Sequence, residues 1–110
     1  EDYLACMKRI NSDLSKIDAF YDDVRFCPYH SDAVVAKYRA NNHFWRKPNP
    51  GMILDLMSEW NTHVNDSFVI GDKQSDITAA HAAGLKGYFF NQDDNLLKFV
   101  KDIPTIKNYF

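Results

Sequence analysis

Two acidic side chains follow a short apolar run in the second half of the sequence. Val69 and Ile70 lead into Gly71 and Asp72, and Asp76 comes four residues after Asp72. Such a run is typical of a buried parallel strand, and α/β sheets place function at the carboxyl ends of these strands. Carboxylate oxygens suit Mg²⁺, which takes one or two of them and fills its shell with water and phosphate. The structural alternative, a turn at Asp72 and a helix cap at Asp76, has equal weight on this segment alone.

Two adjacent cations, Arg46 and Lys47, precede a helix start that is stiffened by Pro48 and Pro50. A lysine ammonium, a planar guanidinium and the unpaired N–H groups of a helix start all favour a phosphate or another compact anion. An arginine–lysine pair ahead of a helix is more often solvated surface. This segment by itself is therefore a weak sign of function.

The elements that must position these residues alternate between helix and strand. The first half of the sequence predicts an amphipathic helix over residues 1–17, a strand over 19–26 and an irregular stretch over 27–50, with helical turns within 32–38. A second helix opens at Pro50-Gly51. Beyond it the pattern predicts a strand over 67–70, a helix over 75–83, a strand over 86–90 and a helix over 96–100. This alternation predicts an α/β fold with a parallel sheet.

Composition is that of an ordinary globular domain and argues against several partners. The chain has 110 residues, enough for one domain, with 45% apolar and 25% charged residues. A net charge of −2 and a pI near 6.0 create no field that recruits nucleic acid or anionic lipid, so we expect neither partner. The sequence shows no bilayer-spanning run and no signal-peptide pattern, and Cys6 and Cys27 lie in unrelated contexts. We therefore expect reduced thiols and a cytoplasmic location.

Together, the two chemical segments resemble the third and fourth motifs of the haloacid-dehalogenase (HAD) superfamily. The third motif supplies a lysine before a helix, here Lys47, and the fourth is Gly-Asp followed by a second aspartate, here Gly71, Asp72 and Asp76. The sequence is most similar to the branch of D,D-heptose 1,7-bisphosphate phosphatase and histidinol-phosphate phosphatase. The segments that resemble this branch are Arg46 to Met52, Gly71 to Asp76, Ala82 to Gly84 and, in part, Cys27 to His30.

The resemblance implies a three-layer α/β/α Rossmann-like core and a Mg²⁺-dependent phosphomonoesterase for a small phosphorylated metabolite such as a sugar bisphosphate. In this family an aspartate attacks the phosphoryl group, and water hydrolyses the aspartyl-phosphate while a second aspartate acts as general acid and base. Lys47 would neutralise phosphoryl oxygens, and Arg46 would recognise the substrate. Asp72 would bind Mg²⁺, Lys73 would lie beside the metal and the substrate, and Asp76 would orient the lysine or a metal-bound water.

The resemblance is incomplete, because the family's nucleophile segment, an apolar strand that runs into Asp-x-Asp, is not found in these residues. Asp22-Asp23 has the wrong spacing and the wrong place in the order of motifs. The nucleophile strand is central in the family's sheet, so we expect residues 1–110 to form a single partial domain whose central strands are missing. We expect another polypeptide, or residues outside this sequence, to complete the sheet, and we expect no turnover by this segment alone.

The same branch often binds structural Zn²⁺ in the irregular stretch, and here the corresponding ligand set is degenerate. Two of the four positions are Tyr29 and Trp45, which cannot bind zinc. Cys27 and His43 remain, and the nearby His30 is a further candidate. A structural tetrahedral site normally needs four good ligands. Because this sequence departs from the ligand set of the branch, we expect a zinc-free loop.

Other functions fit parts of the pattern. A polynucleotide 3′-phosphatase of the same superfamily also has an Arg-Lys-Pro segment, but the slight acidity and the lack of a basic stripe count against it. A non-catalytic binding or assembly module would explain the missing nucleophile. A receiver-type regulatory domain is opposed by the order of the residues, because Lys47 precedes the acidic sites. Among phosphatase substrates, heptose bisphosphate, histidinol phosphate and other small phosphate esters stay open.

Overall fold

The computed structural model describes residues 2–19, 21–28, 36–38 and 43–107. Its helices are α1 (Asp2–Ser15), α2 (Gly51–Trp60), α3 (Gln74–Ala82), α4 (Leu96–Lys101) and α5 (Pro104–Lys107), and its strands are β1 (Phe68–Gly71) and β2 (Lys86–Phe89). Short 3₁₀ turns span Ala36–Tyr38 and Val64–Asp66. From β1 to α4, every element begins and ends within one residue of its predicted bounds.

The centre of the fold is a parallel pair of strands covered by the helix that connects them. β1 and β2 pair from Phe68 opposite Lys86 to Gly71 opposite Phe89. α3 packs on this sheet with Ile77, Ala79 and Ala80 buried, and Leu85 and Ile103 complete the buried apolar set. Small side chains on α3 allow the helix to lie close to the strands. This βαβ unit confirms the predicted α/β fold and brings the carboxyl ends of both strands to one edge.

α2 lies beside the sheet and presents its apolar side to it. Ile53, Leu56 and Met57 line an open apolar groove of about 520 Å³ whose other walls include Phe68, Val69 and Leu85. The helix ends at Asn61, which has a φ of 49° in the left-handed region that commonly terminates helices. Because α2 lies beside the sheet, the loop that precedes it is near the strands, although it is distant from them in sequence.

The prediction of a strand over residues 19–26 is wrong for the part of this segment that the structure describes, residues 19 and 21–26. A strand requires a hydrogen-bonded neighbouring strand, whereas here the described polar groups bond within the segment or to the helices α1 and α2. The Tyr21 N–H donates to Asn11 Oδ1 of α1 at 3.2 Å, and Arg25 Nε donates to Asp55 Oδ2 of α2 at 2.7 Å. The segment is therefore tied to α1 and to α2 by side-chain contacts.

Short elements were the least predictable. The helical turn expected within residues 32–38 is present at Ala36–Tyr38, and residues 32–35 lie outside the described residues. The turn at Val64–Asp66 and helix α5 were not predicted, because a single turn has too few residues to show a periodicity. Among the helices that the structure describes, none combines the length and the apolar character needed to cross a bilayer.

Candidate functional site

The two motif aspartates lie where β1 ends and α3 begins. Asp72 is the first residue after β1 and is exposed, and Lys73 is the N-cap of α3. Asp76 is in the first turn of α3, and its Oδ2 accepts the Lys73 N–H at 3.2 Å. This bond satisfies one of the N–H groups that a helix start leaves unpaired. The short connection between strand and helix therefore brings both carboxylates to the carboxyl edge of the sheet.

Gly71 is required at the end of β1 because Asp76 lies directly against it. A Cβ on residue 71 would be 2.2 Å from the Asp76 Cβ and 2.6 Å from its Cγ. Any other side chain would push Asp76 away from the strand end. The glycine of the Gly-Asp segment is thus explained by the aspartate five residues later.

Lys47 reaches this strand end from the loop before α2 and forms an ion pair with Asp76, with its Nζ donating to Oδ1. Asp76 is the buried charged residue of the described chain, at 8% exposure, while 43% of the Lys47 side chain is exposed. Burial raises the pKa of Asp76, but Lys47 and the N–H groups of Lys73 and Asp72 outweigh burial and lower that pKa overall. The carboxylate is therefore ionised at neutral pH and holds a partly exposed ammonium beside it.

The loop that carries Lys47 is ordered by its own hydrogen bonds. The Arg46 N–H donates to the His43 carbonyl at 2.8 Å, and the Asn49 N–H donates to the Arg46 carbonyl at 2.9 Å. The side-chain amide of Asn49 also donates to the His43 carbonyl, at 3.0 Å. The Lys47–Pro48 peptide is cis. Lys47 therefore extends from a hydrogen-bonded turn.

The other predicted cations, Arg46 and Lys73, flank this pair in sequence. Both are exposed, and neither forms an ion pair with a described residue. Lys73 contributes its backbone N–H to Asp76, as described above. The side chains of both cations are accessible to an anion in solution.

Gln92 is a neighbour of Asp72 that was not identified from the sequence. The side-chain amide of Gln92 donates through Nε2 to Asp72 Oδ2. Gln92 lies in the loop after β2, and the carboxyl ends of parallel neighbours meet at one sheet edge. The polar pair Asn91-Gln92 directly after an apolar strand is the signal that could have identified it.

This set of contacts lies inside a region with clear relatives. Residues 44–95 match the family model described as "HAD-hyrolase-like", a range that includes Lys47, Asp72, Asp76 and Gln92. The chain is 44% identical over 104 residues to D-glycero-beta-D-manno-heptose-1,7-bisphosphate 7-phosphatase of Rhodopseudomonas palustris, an alignment that covers 94% of this chain and 56% of the relative. The chain is therefore similar to the HAD-like hydrolases over this region.

Two further proteins show the same similarity. The chain is 42% identical over 64 residues to D-glycero-alpha-D-manno-heptose-1,7-bisphosphate 7-phosphatase of Burkholderia mallei, covering 58% of this chain and 33% of that protein. The crystal structure of a HAD-like phosphatase from Mesorhizobium loti superposes with a TM-score of 0.73 at 32% identity, covering 79% of this chain and 42% of the other. The chain thus spans about half the length, or less, of the relatives that it matches.

Asp72 is the side chain of this HAD-like chain that best suits the Mg²⁺ expected at the site. Its carboxylate is exposed at the strand end, whereas Asp76 is engaged by Lys47 and would act on a metal through water. Within the described residues no group of three or more His, Cys, Asp or Glu could hold a metal ion. These donors fit an ion that takes one or two carboxylates and completes its shell with water and phosphate oxygens.

The degenerate zinc set is described in part. Cys27 and His43 are half-buried, and His43 Nδ1 accepts the Trp45 N–H at 3.0 Å. His30 lies outside the described residues. The absence of structural zinc from this HAD-like chain therefore stays a prediction.

Proposed function

We propose that this chain is the phosphate-binding part of a Mg²⁺-dependent phosphomonoesterase that acts on a small phosphorylated sugar. The observation that carries the proposal is the ion pair of Lys47 and Asp76 beside Asp72, at the carboxyl edge of β1. It joins two segments that are 29 residues apart in sequence. The names of the two heptose-1,7-bisphosphate 7-phosphatases make a heptose bisphosphate the first substrate to test.

In this proposal Lys47 supplies positive charge to the phosphoryl oxygens as charge develops on them during transfer. Asp76 supports Lys47 in two ways. It keeps the ammonium oriented through their ion pair, and it stays ionised because its pKa is lowered. A lysine held by a buried carboxylate needs little reorganisation when the phosphate binds. Charge that is already in place stabilises the transition state without a cost for orienting it.

Asp72 is the residue that we propose to hold Mg²⁺. A bound Mg²⁺ would neutralise part of the phosphate charge. Arg46 and Lys73 are the proposed cations for the rest of the substrate. Their exposed side chains suit a second phosphate group, which a planar guanidinium can bind through two parallel hydrogen bonds.

In this proposal the nucleophile comes from a further strand. We propose that residues 1–110 are a single partial domain, and that strands from outside these residues complete its sheet and bring an Asp-x-Asp segment to the edge formed by Asp72 and Lys47. Within the described residues β1 pairs with β2 alone, and the relatives are about twice as long as the matched region. We also propose a cytoplasmic location, with Cys6 and Cys27 reduced.

The test uses the intact protein and both anomers of D-glycero-D-manno-heptose-1,7-bisphosphate. Asp72→Asn and Lys47→Ala should each lower Mg²⁺-dependent phosphate release by at least about 100-fold. The first change removes the charge that holds Mg²⁺, and the second removes a positive charge that stabilises the transition state.

Matched controls are Asp66→Asn and Lys86→Ala, which change exposed residues at the opposite, amino end of the strands. They should retain the wild-type rate. Wild-type rates in Asp72→Asn or Lys47→Ala would contradict the proposal. No Mg²⁺-dependent release by the wild-type protein from either anomer would reject the substrate class.

A further inference from the structure

The loop after β2 is held against the end of β1 by backbone contacts. The Phe90 N–H donates to the Gly71 carbonyl at 2.8 Å, so the pairing of the two strands continues one step beyond β2. The Phe90 ring also packs edge-on against Phe99 of α4, with ring centroids 5.3 Å apart. The chain that follows Phe90 therefore leaves the sheet immediately beside Asp72.

That loop then folds into a tight turn that orients Gln92. Asn91 Oδ1 accepts the Asp93 N–H at 3.0 Å, and the Asn91 carbonyl accepts the Asp94 N–H at 2.9 Å. These two bonds fix the backbone on both sides of Gln92. From this turn the Gln92 side chain crosses to Asp72 and donates to its Oδ2.

The hydrogen bond from Gln92 restricts the orientation of the Asp72 carboxylate, which is important for a metal ligand. An exposed carboxylate can rotate freely about its side-chain bonds, and fixing it on binding costs free energy. Gln92 holds one oxygen, and the other oxygen, Oδ1, accepts no hydrogen bond from the described residues. A hydrogen bond of this kind to a ligating carboxylate sets its orientation and tunes metal affinity.

The geometry points to Gln92 as a positioning residue that fixes the Asp72 carboxylate for Mg²⁺ binding. This inference rests on the proposed function, because it takes Asp72 as the metal ligand. It adds that the loop after β2, which lies outside both sequence motifs, sets the metal affinity of the site. Gln92 acts through Asp72, so its loss should weaken metal binding and leave the chemistry intact once the metal is saturating.

The test is Gln92→Met in the intact protein, since methionine keeps the length of the side chain and lacks the N–H donor. Binding of Mg²⁺ alone, measured by calorimetry without substrate, should weaken by about 10-fold or more. The Mg²⁺ concentration for half-maximal phosphate release should rise by the same factor, while kcat and the substrate KM at saturating Mg²⁺ return to wild-type values. Gln92→Asn, which is too short to reach Asp72 from the same backbone, should resemble Gln92→Met.

The control is Gln74→Met, because Gln74 is the other glutamine of the chain and is an exposed residue whose amide reaches Thr78 instead. It should bind Mg²⁺ as the wild type does. Unchanged Mg²⁺ affinity in Gln92→Met would overturn the inference, and tighter binding would also overturn it, since Gln92 would then compete with the metal. Asp72→Asn distinguishes a failure of the inference about Gln92 from a failure of the proposed function. If this variant binds Mg²⁺ like the wild type, the assignment of Asp72 as the metal ligand is wrong.

Discussion

Two charged clusters each join an irregular segment of this chain to a helix. In the first, called here the linker cluster, Arg25 pairs with Asp23 at 2.8 Å and with Asp55 of α2 at 2.7 Å, and Trp60 Nε1 donates to Asp23 at 2.8 Å. In the second, the strand-end pair, Lys47 binds Asp76 of α3. Both clusters combine long-range contacts with opposite charges, so contact type alone does not separate them.

The difference between them lies in which partner is covered. In the linker cluster the cation is covered, with 18% of the Arg25 side chain exposed against 46% of Asp55. The strand-end pair has the opposite arrangement, with 11% of Asp76 exposed against 43% of Lys47. A covered acid beneath an exposed cation presents positive charge to solvent, where an anion can bind. A covered cation between acids presents negative charge, so the linker cluster serves to hold two segments together.

The largest expected effect comes from removing the covered acid of the strand-end pair. Asp76→Asn should lower phosphate release by at least about 100-fold, because Lys47 loses the partner that orients it. The free energy of unfolding should fall by about 1–2 kcal/mol, less than for a fully buried pair because Lys47 is partly solvated. The measurements are phosphate release and urea unfolding of the intact protein.

Asp55→Asn is the matched change in the linker cluster. It should cost less than about 1 kcal/mol of unfolding free energy and leave turnover at the wild-type rate, since exposed pairs contribute little. Equal losses of turnover in the two variants would remove the distinction between the clusters.

A second prediction concerns the space that the strand-end pair needs. Gly71→Ala would place a Cβ 2.2 Å from the Asp76 Cβ, so Asp76 or the strand must shift. We expect a loss of about 1–3 kcal/mol in unfolding free energy and a loss of turnover comparable to that of Asp76→Asn. Urea unfolding and phosphate release measure the two effects.

Gly84→Ala is the control for backbone strain. Gly84 has a φ of +82°, and nothing lies within 4 Å of a Cβ built there. This substitution should cost roughly 1 kcal/mol through conformation alone and should keep turnover. If Gly84→Ala abolished turnover while Gly71→Ala kept it, the close approach of Gly71 and Asp76 would have no part in the site.

The acidic residues of the site have local signals in the sequence. An apolar run that ends in Gly71-Asp72 marks a strand end, and Asp76 follows within the next helical turn. The HAD resemblance then joins Lys47 to them. β1, α3 and β2 were predicted within one residue for the same reason, since each is set by its own pattern of apolar and small residues.

Two other contacts that depend on the tertiary fold have no such signal in the sequence. Gln92 meets Asp72 across 20 residues of sequence, and Arg25 meets Asp55 across 30. No local periodicity encodes either pair. The prediction of a strand over residues 19–26 is wrong for a related reason. An apolar run forms a strand only where a neighbouring strand can pair with it. Side chains of α1 and α2 bind this segment instead.

The smallest expected effect is a change in the pKa of Asp23, which belongs to the linker cluster. Hydrogen bonds from Trp60 and Arg25 lower the pKa of Asp23 from 3.8 to about 2. Because this pKa is lower in the folded state, the stabilisation is present above the ordinary value and is lost as the pH falls from 3.8 towards 2. Trp60→Phe keeps an aromatic ring but removes the N–H donor, so the pKa of Asp23 should rise towards its ordinary value.

Carbon NMR of the Asp23 carboxyl group during an acid titration measures this shift directly, and Asp76 in the same spectra is the internal control. The Asp76 titration should stay unchanged, and turnover at pH 7 should equal that of the wild type, because no described contact joins Trp60 to the strand-end pair. An unchanged Asp23 titration in Trp60→Phe would assign the low pKa to Arg25 instead. A change at Asp76 would show that the two clusters are coupled, and the contrast between a structural cluster and a phosphate-binding pair would then fail.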